Sequence, residues 1–184
     1  MKTYLLLLIL IVVQACGGSA EPSELFQIQI EGNKKQFQLN QSIGIAITNL
    51  NEGGRLAACS GNLIRNITRK RFNDGWGVGI GADGDTALTG NVVENAARSG
   101  IALGWGKYLQ NAVATGNMIK DCPIGVEAST TKGAGQALIS NNIIVAAKRG
   151  GVLGMNHNEP ATGDLAKPGV TQPANLTVSG NQLV

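Results

Sequence analysis

One pattern recurs along this chain and limits its fold more than any other feature: Ser or Thr, then Gly or Asn, then Asn, then a short strand-like run. It stands as Cys59-Ser60-Gly61-Asn62-Leu63-Ile64, Leu88-Thr89-Gly90-Asn91-Val92-Val93, Ala114-Thr115-Gly116-Asn117-Met118-Ile119, Ile139-Ser140-Asn141-Asn142-Ile143-Ile144 and Val178-Ser179-Gly180-Asn181-Gln182-Leu183. The Asn residues Asn62, Asn91, Asn117, Asn142 and Asn181 follow in steps of 29, 26, 25 and 39. A second mark comes eight or nine positions after each central Asn: Gly100-Ile101-Ala102-Leu103, Gly125-Val126-Glu127-Ala128 and Gly151-Val152-Leu153. Gly77-Val78-Gly79-Ile80 is its displaced counterpart after Asn62, and Gly44-Ile45-Ala46-Ile47 has the same form upstream. Each unit reads strand, tight turn, strand, turn, strand, loop. Three short strands and three corners in about 25 residues make one coil of a parallel β-helix. The spacing therefore predicts an all-β chain of about four to five coils with three short strands each. A β-sandwich is disfavoured, because its hairpins would not restore the same order in every unit.

Such a coil cannot bury its own inward residues, so Leu63, Val92, Met118 and Ile143 are expected to stack from coil to coil. Asn62, Asn91, Asn117, Asn142 and Asn181 are expected at one corner, taking a left-handed backbone and bonding side chain to side chain. Gly44, Gly77, Gly100, Gly125 and Gly151 are expected at another. The 26 glycines and the 15% of charged residues fit buried strands joined by turns. The formal net charge of +3 gives no case for nucleic acid and is compatible with an acidic polysaccharide. Arg65, Arg69, Lys70 and Arg71 read most simply as a solvated loop. Cys59 and Cys122 lie two coil steps of about 4.8 Å apart plus an offset around the coil. That exceeds the disulfide limit of about 7 Å, so both are expected as buried free thiols.

The beginning of the chain is different. Residues 5–13 form an unbroken apolar run behind Lys2, too short for a membrane span. Val13-Gln14-Ala15-Cys16, followed by Gly17-Gly18-Ser19, resembles a bacterial lipobox with Cys16 as the lipidated residue. Residues 1–15 are thus read as a lipoprotein-type signal peptide, 16–23 as a linker, 24–42 as a short antiparallel β segment, and 43–184 as the repeats. In the β segment, Phe26-Gln27-Ile28-Gln29-Ile30 and Phe37-Gln38-Leu39 alternate like half-buried strands around Glu31-Gly32-Asn33-Lys34-Lys35.

Residues 43–181, roughly three quarters of the chain, resemble a family of uncharacterised repeat proteins exported by the twin-arginine route. The resemblance rests on Gly44-Ile45-Ala46-Ile47, Thr89-Gly90-Asn91-Val92-Val93, Ser99-Gly100-Ile101-Ala102-Leu103-Gly104-Trp105-Gly106, Ala114-Thr115-Gly116-Asn117 and Thr162-Gly163-Asp164-Leu165-Ala166. It implies a right-handed parallel β-helix of the pectate-lyase-like superfamily, and it carries no established activity. The twin-arginine pair is missing here. The segment from Phe26 to Leu39 is instead similar to the start of Bacteroidetes-type lipoproteins, some of which continue into a glutaminyl-cyclotransferase domain that does not follow in this chain. The chain stops just after the fifth Asn corner with no evident cap, so the repeat region is expected to be incomplete, as a fragment or as a fusion of two unrelated pieces.

Insertions that recur after the same strand emerge on one face of a solenoid. Here the long loops follow the Gly-Ile/Val strand: Asn49 to Gly53, Gly81 to Asp85, Gly104 to Tyr108, Ser129 to Gly133, and Met155 through Asn175. Side by side they would line a groove suited to a sugar polymer, with aromatic faces for rings and charged groups for hydroxyls or uronates. The catalytic candidates are Asp83, Asp85, His157 and Asp164, and the substrate-binding candidates are Trp105, Lys107, Tyr108 and Lys132. Each also has a plainer reading. Asp83-Gly84-Asp85 is an ordinary turn, Glu52 a solvated loop residue, His157 a loop hydrogen-bonder, Asp164 an Asx-turn, and Trp105 with Tyr108 packing against the wall. No phosphate-binding glycine loop, zinc spacing or nucleophile elbow is present, and no metal or cofactor is expected.

Two functions remain open. One is a noncatalytic glycan-binding or structural module, an envelope lipoprotein facing the periplasm or the outer surface. The other is a polysaccharide lyase, hydrolase or epimerase acting on an acidic glycan. The enzyme needs at least two titratable side chains among Asp83, Asp85, Glu127, His157 and Asp164 converging near Trp105 or Lys107.

Overall fold

The structure is a computed structural model that describes residues 29–31, 43–47, 56–67 and 77–184, with Gln29–Glu31 described by backbone alone. The signal peptide, Cys16, the linker, Phe37-Gln38-Leu39, the loop around Glu52, and Arg69 to Arg71 lie outside these residues. In chain order the strands are β1 (Gln29–Glu31), β2 (Ile43–Ile47), β3 (Ala57–Ser60), β4 (Leu63–Ile67), β5 (Val78–Ala82) and β6 (Thr86–Thr89). Next come β7 (Val92–Ala96), β8 (Ser99–Leu103), β9 (Ala112–Thr115), β10 (Met118–Lys120), β11 (Ile124–Ser129) and β12 (Ala137–Ser140). The last are β13 (Ile143–Val145), β14 (Gly150–Asn156), β15 (Glu159–Asp164), β16 (Leu176–Ser179) and β17 (Gln182–Leu183).

They form three sheets, in the orders β1-β4-β7-β10-β13-β17, β15-β14-β11-β8-β5-β2 and β16-β12-β9-β6-β3, called A, B and C below. The chain visits A, B and C in turn, and strands one circuit apart pair in parallel. This all-β arrangement of short strands in parallel sheets is compatible with a parallel β-helix. The step of 25 or 26 residues is the length of one circuit, which is why it recurs.

Inside, like residues stack. Sheet A contributes Ile64, Val93, Ile119 and Ile144, sheet B Ile80, Ile101, Val126 and Val152, and sheet C Cys59, Leu88, Ala114, Ile139 and Val178, all buried in one cluster. Burying one such Ile or Leu stabilises the fold by about 2 kcal/mol. Leu63, Val92, Met118 and Ile143, expected inside, are instead the outward column of sheet A, with Met118 43% and Ile143 38% exposed. The alternation of a strand turns a one-residue misreading into the opposite face. The next outward column carries charge, and Glu94 bridges Arg65 at 2.6 Å on one side and Lys120 at 3.3 Å on the other. Arg65 therefore lies on the outer wall of sheet A and not in a loop.

At the junction from sheet C to sheet A, the side chains of the five Asn residues form a continuous ladder. Nδ2 of Asn62, Asn91, Asn117 and Asn142 donates to Oδ1 of the next Asn at 2.8, 3.0, 2.9 and 2.9 Å. Each of those Oδ1 atoms also accepts the backbone N–H of the preceding Asn, at 2.9–3.1 Å. The left-handed backbone falls one residue earlier than expected, on Gly61, Gly90, Gly116, Asn141 and Gly180. The Asn residues themselves are held by their amides.

The glycine column also differs. Pairing aligns Gly44 with Gly79, Gly100, Gly125 and Gly151, while Gly77 stands apart with φ 108. These glycines sit within strands of sheet B, not at a corner. A Cβ on Gly44, Gly79, Gly100, Gly125 or Gly151 would collide with the side chain of Ile64, Val93, Ile119, Ile144 or Leu183 in turn, so the space is what selects Gly.

Gln29–Glu31, expected as an arm of an antiparallel hairpin, pairs in parallel with Leu63–Arg65 and so extends sheet A. The antiparallel pair among the described strands is β14 with β15, which covers the free edge of sheet B. Pro160 in β15 blunts the new edge, since proline has no amide to offer a further strand. Cys59 and Cys122 are buried and free, as their placement two circuits apart requires.

Candidate functional site

The long loops connect sheet B to sheet C and emerge together. The loop after β8 begins with Gly104 at φ 71, where a Cβ would collide with Leu109. Leu109 is fully buried and anchors the loop. Between them Gly106–Tyr108 make one 3-10 turn, with the Tyr108 amide donating to the Trp105 carbonyl at 3.1 Å. The loop is tied to the next coil by the Ser129 hydroxyl, which donates to the Gly106 carbonyl at 2.7 Å. The tie and the anchor leave the indole of Trp105 45% exposed.

Two coils on, β14 turns into β15 through His157, itself left-handed at φ 56. Its ring meets Trp105 edge-to-face, with centroids 5.3 Å apart and planes at 77°. Gly106 permits this approach, because a Cβ there would stand 3.1 Å from His157 Nε2. Asn156 Oδ1 lies 3.0 Å from His157 Nδ1 and accepts from the Thr131 hydroxyl at 3.3 Å. Lys107 Nζ stands 5.5 Å from the centre of the Tyr108 ring. Lys132 is exposed on the adjacent loop, whose Gly133 faces the Lys107 stem. Trp105, His157, Lys107 and Tyr108 thus fall on neighbouring loops, with Asn156, Ser129 and Thr131 supporting them.

Asp85 and Asp164 have structural partners. Asp85 has φ 48 and accepts from Asn111 Nδ2 at 2.9 Å, one step of a polar ladder between coils. Asp83 lies one residue before Gly84, which bridges to Gln110, and its amide donates to the Ile47 carbonyl at 3.1 Å. Asp164 accepts the amides of Gly151 at 2.8 Å, Val152 at 2.9 Å and Ala166 at 3.2 Å, which fixes the hairpin to the start of β14. Of the five titratable candidates, only His157 makes ring contact with Trp105. Among the described residues no three His, Cys, Asp or Glu side chains are placed to hold a metal ion.

The sequence reading missed a buried polar cluster under the hairpin. Glu127, 7% exposed, receives Arg98 Nε at 3.0 Å, and Arg98 Nη1 reaches Asn158 Oδ1 at 2.7 Å. Burial pushes the Glu127 carboxyl above its ordinary range, against the pull of the Arg98 guanidinium. Leu153, level with Glu127 on the next strand, joins Ile124 and Met155 in a small apolar cluster. Arg98 therefore links sheet B to the residue beside His157. A signal was present in the sequence, since a charged residue sits where sheet B otherwise has Gly81, Ala102 and Leu153. Comparison with protein-family models, with curated proteins and with solved structures gave no match.

Proposed function

We propose that this chain is a noncatalytic glycan-binding module of the cell envelope, built as a right-handed parallel β-helix and tethered through a lipid on Cys16. The observation that carries the reading is the Trp105–His157 pair, a half-exposed indole fixed by a ring from a loop two coils away. A rigid exposed indole offers a flat apolar face to a sugar ring and loses little freedom on binding. Lys107 on the same loop, and Thr131, Lys132 and Asn156 on the coils that follow, bring donors for hydroxyls or uronate carboxylates. The right-handed winding is supported by the strong preference of parallel crossovers for that hand and by the resemblance to exported repeat proteins. The envelope location rests on the apolar run and Cys16 of the sequence. No helix among the described residues is long and apolar enough to cross a membrane.

An acidic-glycan lyase, hydrolase or epimerase would need a second titratable group beside His157. Asp85, Asp164 and Glu127 are each engaged by other partners, so that alternative has less support. The test is a carbohydrate microarray of neutral and uronate polymers, probed with the wild type and with Trp105→Ala, alongside an assay for new unsaturated chain ends. Binding to at least one polymer, weakened about tenfold or more by Trp105→Ala with no new ends, supports the module. Binding that survives the substitution sinks it, and new unsaturated ends make the chain an enzyme.

A further inference from the structure

The geometry points to an oxyanion site at the opposite end of β14, formed by Lys148, Arg149 and Lys167. A cleft of about 240 Å³ opens there, and these three cations line it together with Asp164, Leu183 and Val184. Several other cations of the described residues have carboxylate partners: Arg65 and Lys120 share Glu94, and Arg98 pairs with Glu127. Lys148, Arg149 and Lys167 are exposed and form no ion pair among the described residues. The one side-chain carboxylate in the cleft, Asp164, already accepts three backbone amides. With Asp164 set against the three cations, the side chains of the lining carry net positive charge.

Three like charges gathered around one concavity repel one another, and a multiply charged anion relieves that repulsion. The Arg149 guanidinium gives planar two-point recognition of an oxyanion, while the two lysines act as point charges. The site is independent of the aromatic loops. Arg149 precedes β14 and His157 follows it, so the seven residues of the strand, about 23 Å of extended chain, separate them. The ligand chemistry is a small oxyanion with two or more charges, either free, as phosphate, or carried on a carboxylated sugar.

The experiment is thermal unfolding of the full chain titrated with inorganic phosphate or with trigalacturonate, each against sodium chloride at equal ionic strength. A saturable rise in Tm of about 5 °C is expected from at least one probe. The probe that responds identifies the source, free anion or sugar carboxylate. Lys148→Ala/Lys167→Ala should abolish the rise, whereas Arg65→Ala/Lys120→Ala, which removes the same charge from sheet A, should keep it. No rise beyond chloride with either probe, or a rise that persists in Lys148→Ala/Lys167→Ala, overturns the site.

Discussion

Asn117 carries more of the corner than any sequence pattern could say. Its Nδ2 reaches the carbonyls of Leu88 at 3.1 Å and Thr115 at 3.3 Å as well as Asn142, and its Oδ1 takes both donors of Asn91. Asn117→Ala leaves the buried Asn91 amides without that acceptor, and chemical denaturation should show a loss of about 3 kcal/mol. Ala146 is the opposite case. It stands at φ 57 in a column with Asn66, Asn95 and Asp121, four residues after each ladder Asn, where left-handed backbone suits Asn, Asp or Gly. Ala146→Gly should therefore stabilise by about 1 kcal/mol in the same assay, and a loss of stability would contradict the strain. This second corner was not legible because its letters change from Asn to Asp to Ala, whereas the ladder repeats its Asn. The thiols of Cys59 and Cys122 are pushed up to about 11 by burial. Both should stay unreactive toward disulfide reagents at neutral pH until the chain unfolds, because the thiolate is the reactive form.

At the level of strands, the outer walls of sheets A and B titrate in opposite senses. Glu94 is held below its ordinary 4.5 by hydrogen bonds from Arg65 and Lys120. The stability it contributes is present above that unfolded value and is lost as pH falls through the lowered folded one. Glu127 is raised by burial, so the folded chain binds its proton more tightly than the unfolded chain. Its contribution is fully present below 4.5 and is lost as pH rises through the raised folded value. Stability measured from pH 4 to 8 should fall less steeply with rising pH in Glu127→Gln than in the wild type. An unchanged slope would show that Glu127 does not carry this pH dependence. Glu127→Ala should cost about 3 kcal/mol or more, because Arg98 would be left buried without its carboxylate. Strand order and register were readable from the spacing of the Asn repeat, yet the inward face of sheet A was not. Leu63-Ile64, Val92-Val93 and Ile143-Ile144 are apolar at both positions, so the alternation that sets the face is absent.

Across the molecule, the connections from sheet B to sheet C gather variable loops beside one another, and this was legible because insertions recur after the same strand. Their alignment brings Trp105 to His157 across 52 positions of sequence, a contact no local pattern announces. Two of the acidic candidates, Asp85 and Asp164, hold structural partners for a physical reason. Asp85 and Asp164 satisfy backbone and corner groups that the winding of the chain creates, and those demands appear only when coils stack. The proposed role of the exposed Trp105 indole is that of a sugar platform. It is tested most directly by the fluorescence of Trp105 in Trp76→Phe, a variant in which it is the sole tryptophan, titrated with oligosaccharides of the polymer that binds. A saturable change in emission, with a midpoint equal to the dissociation constant found by calorimetry and lost in His157→Ala, is the expected result. Binding seen by calorimetry with the emission of Trp105 unchanged would contradict it.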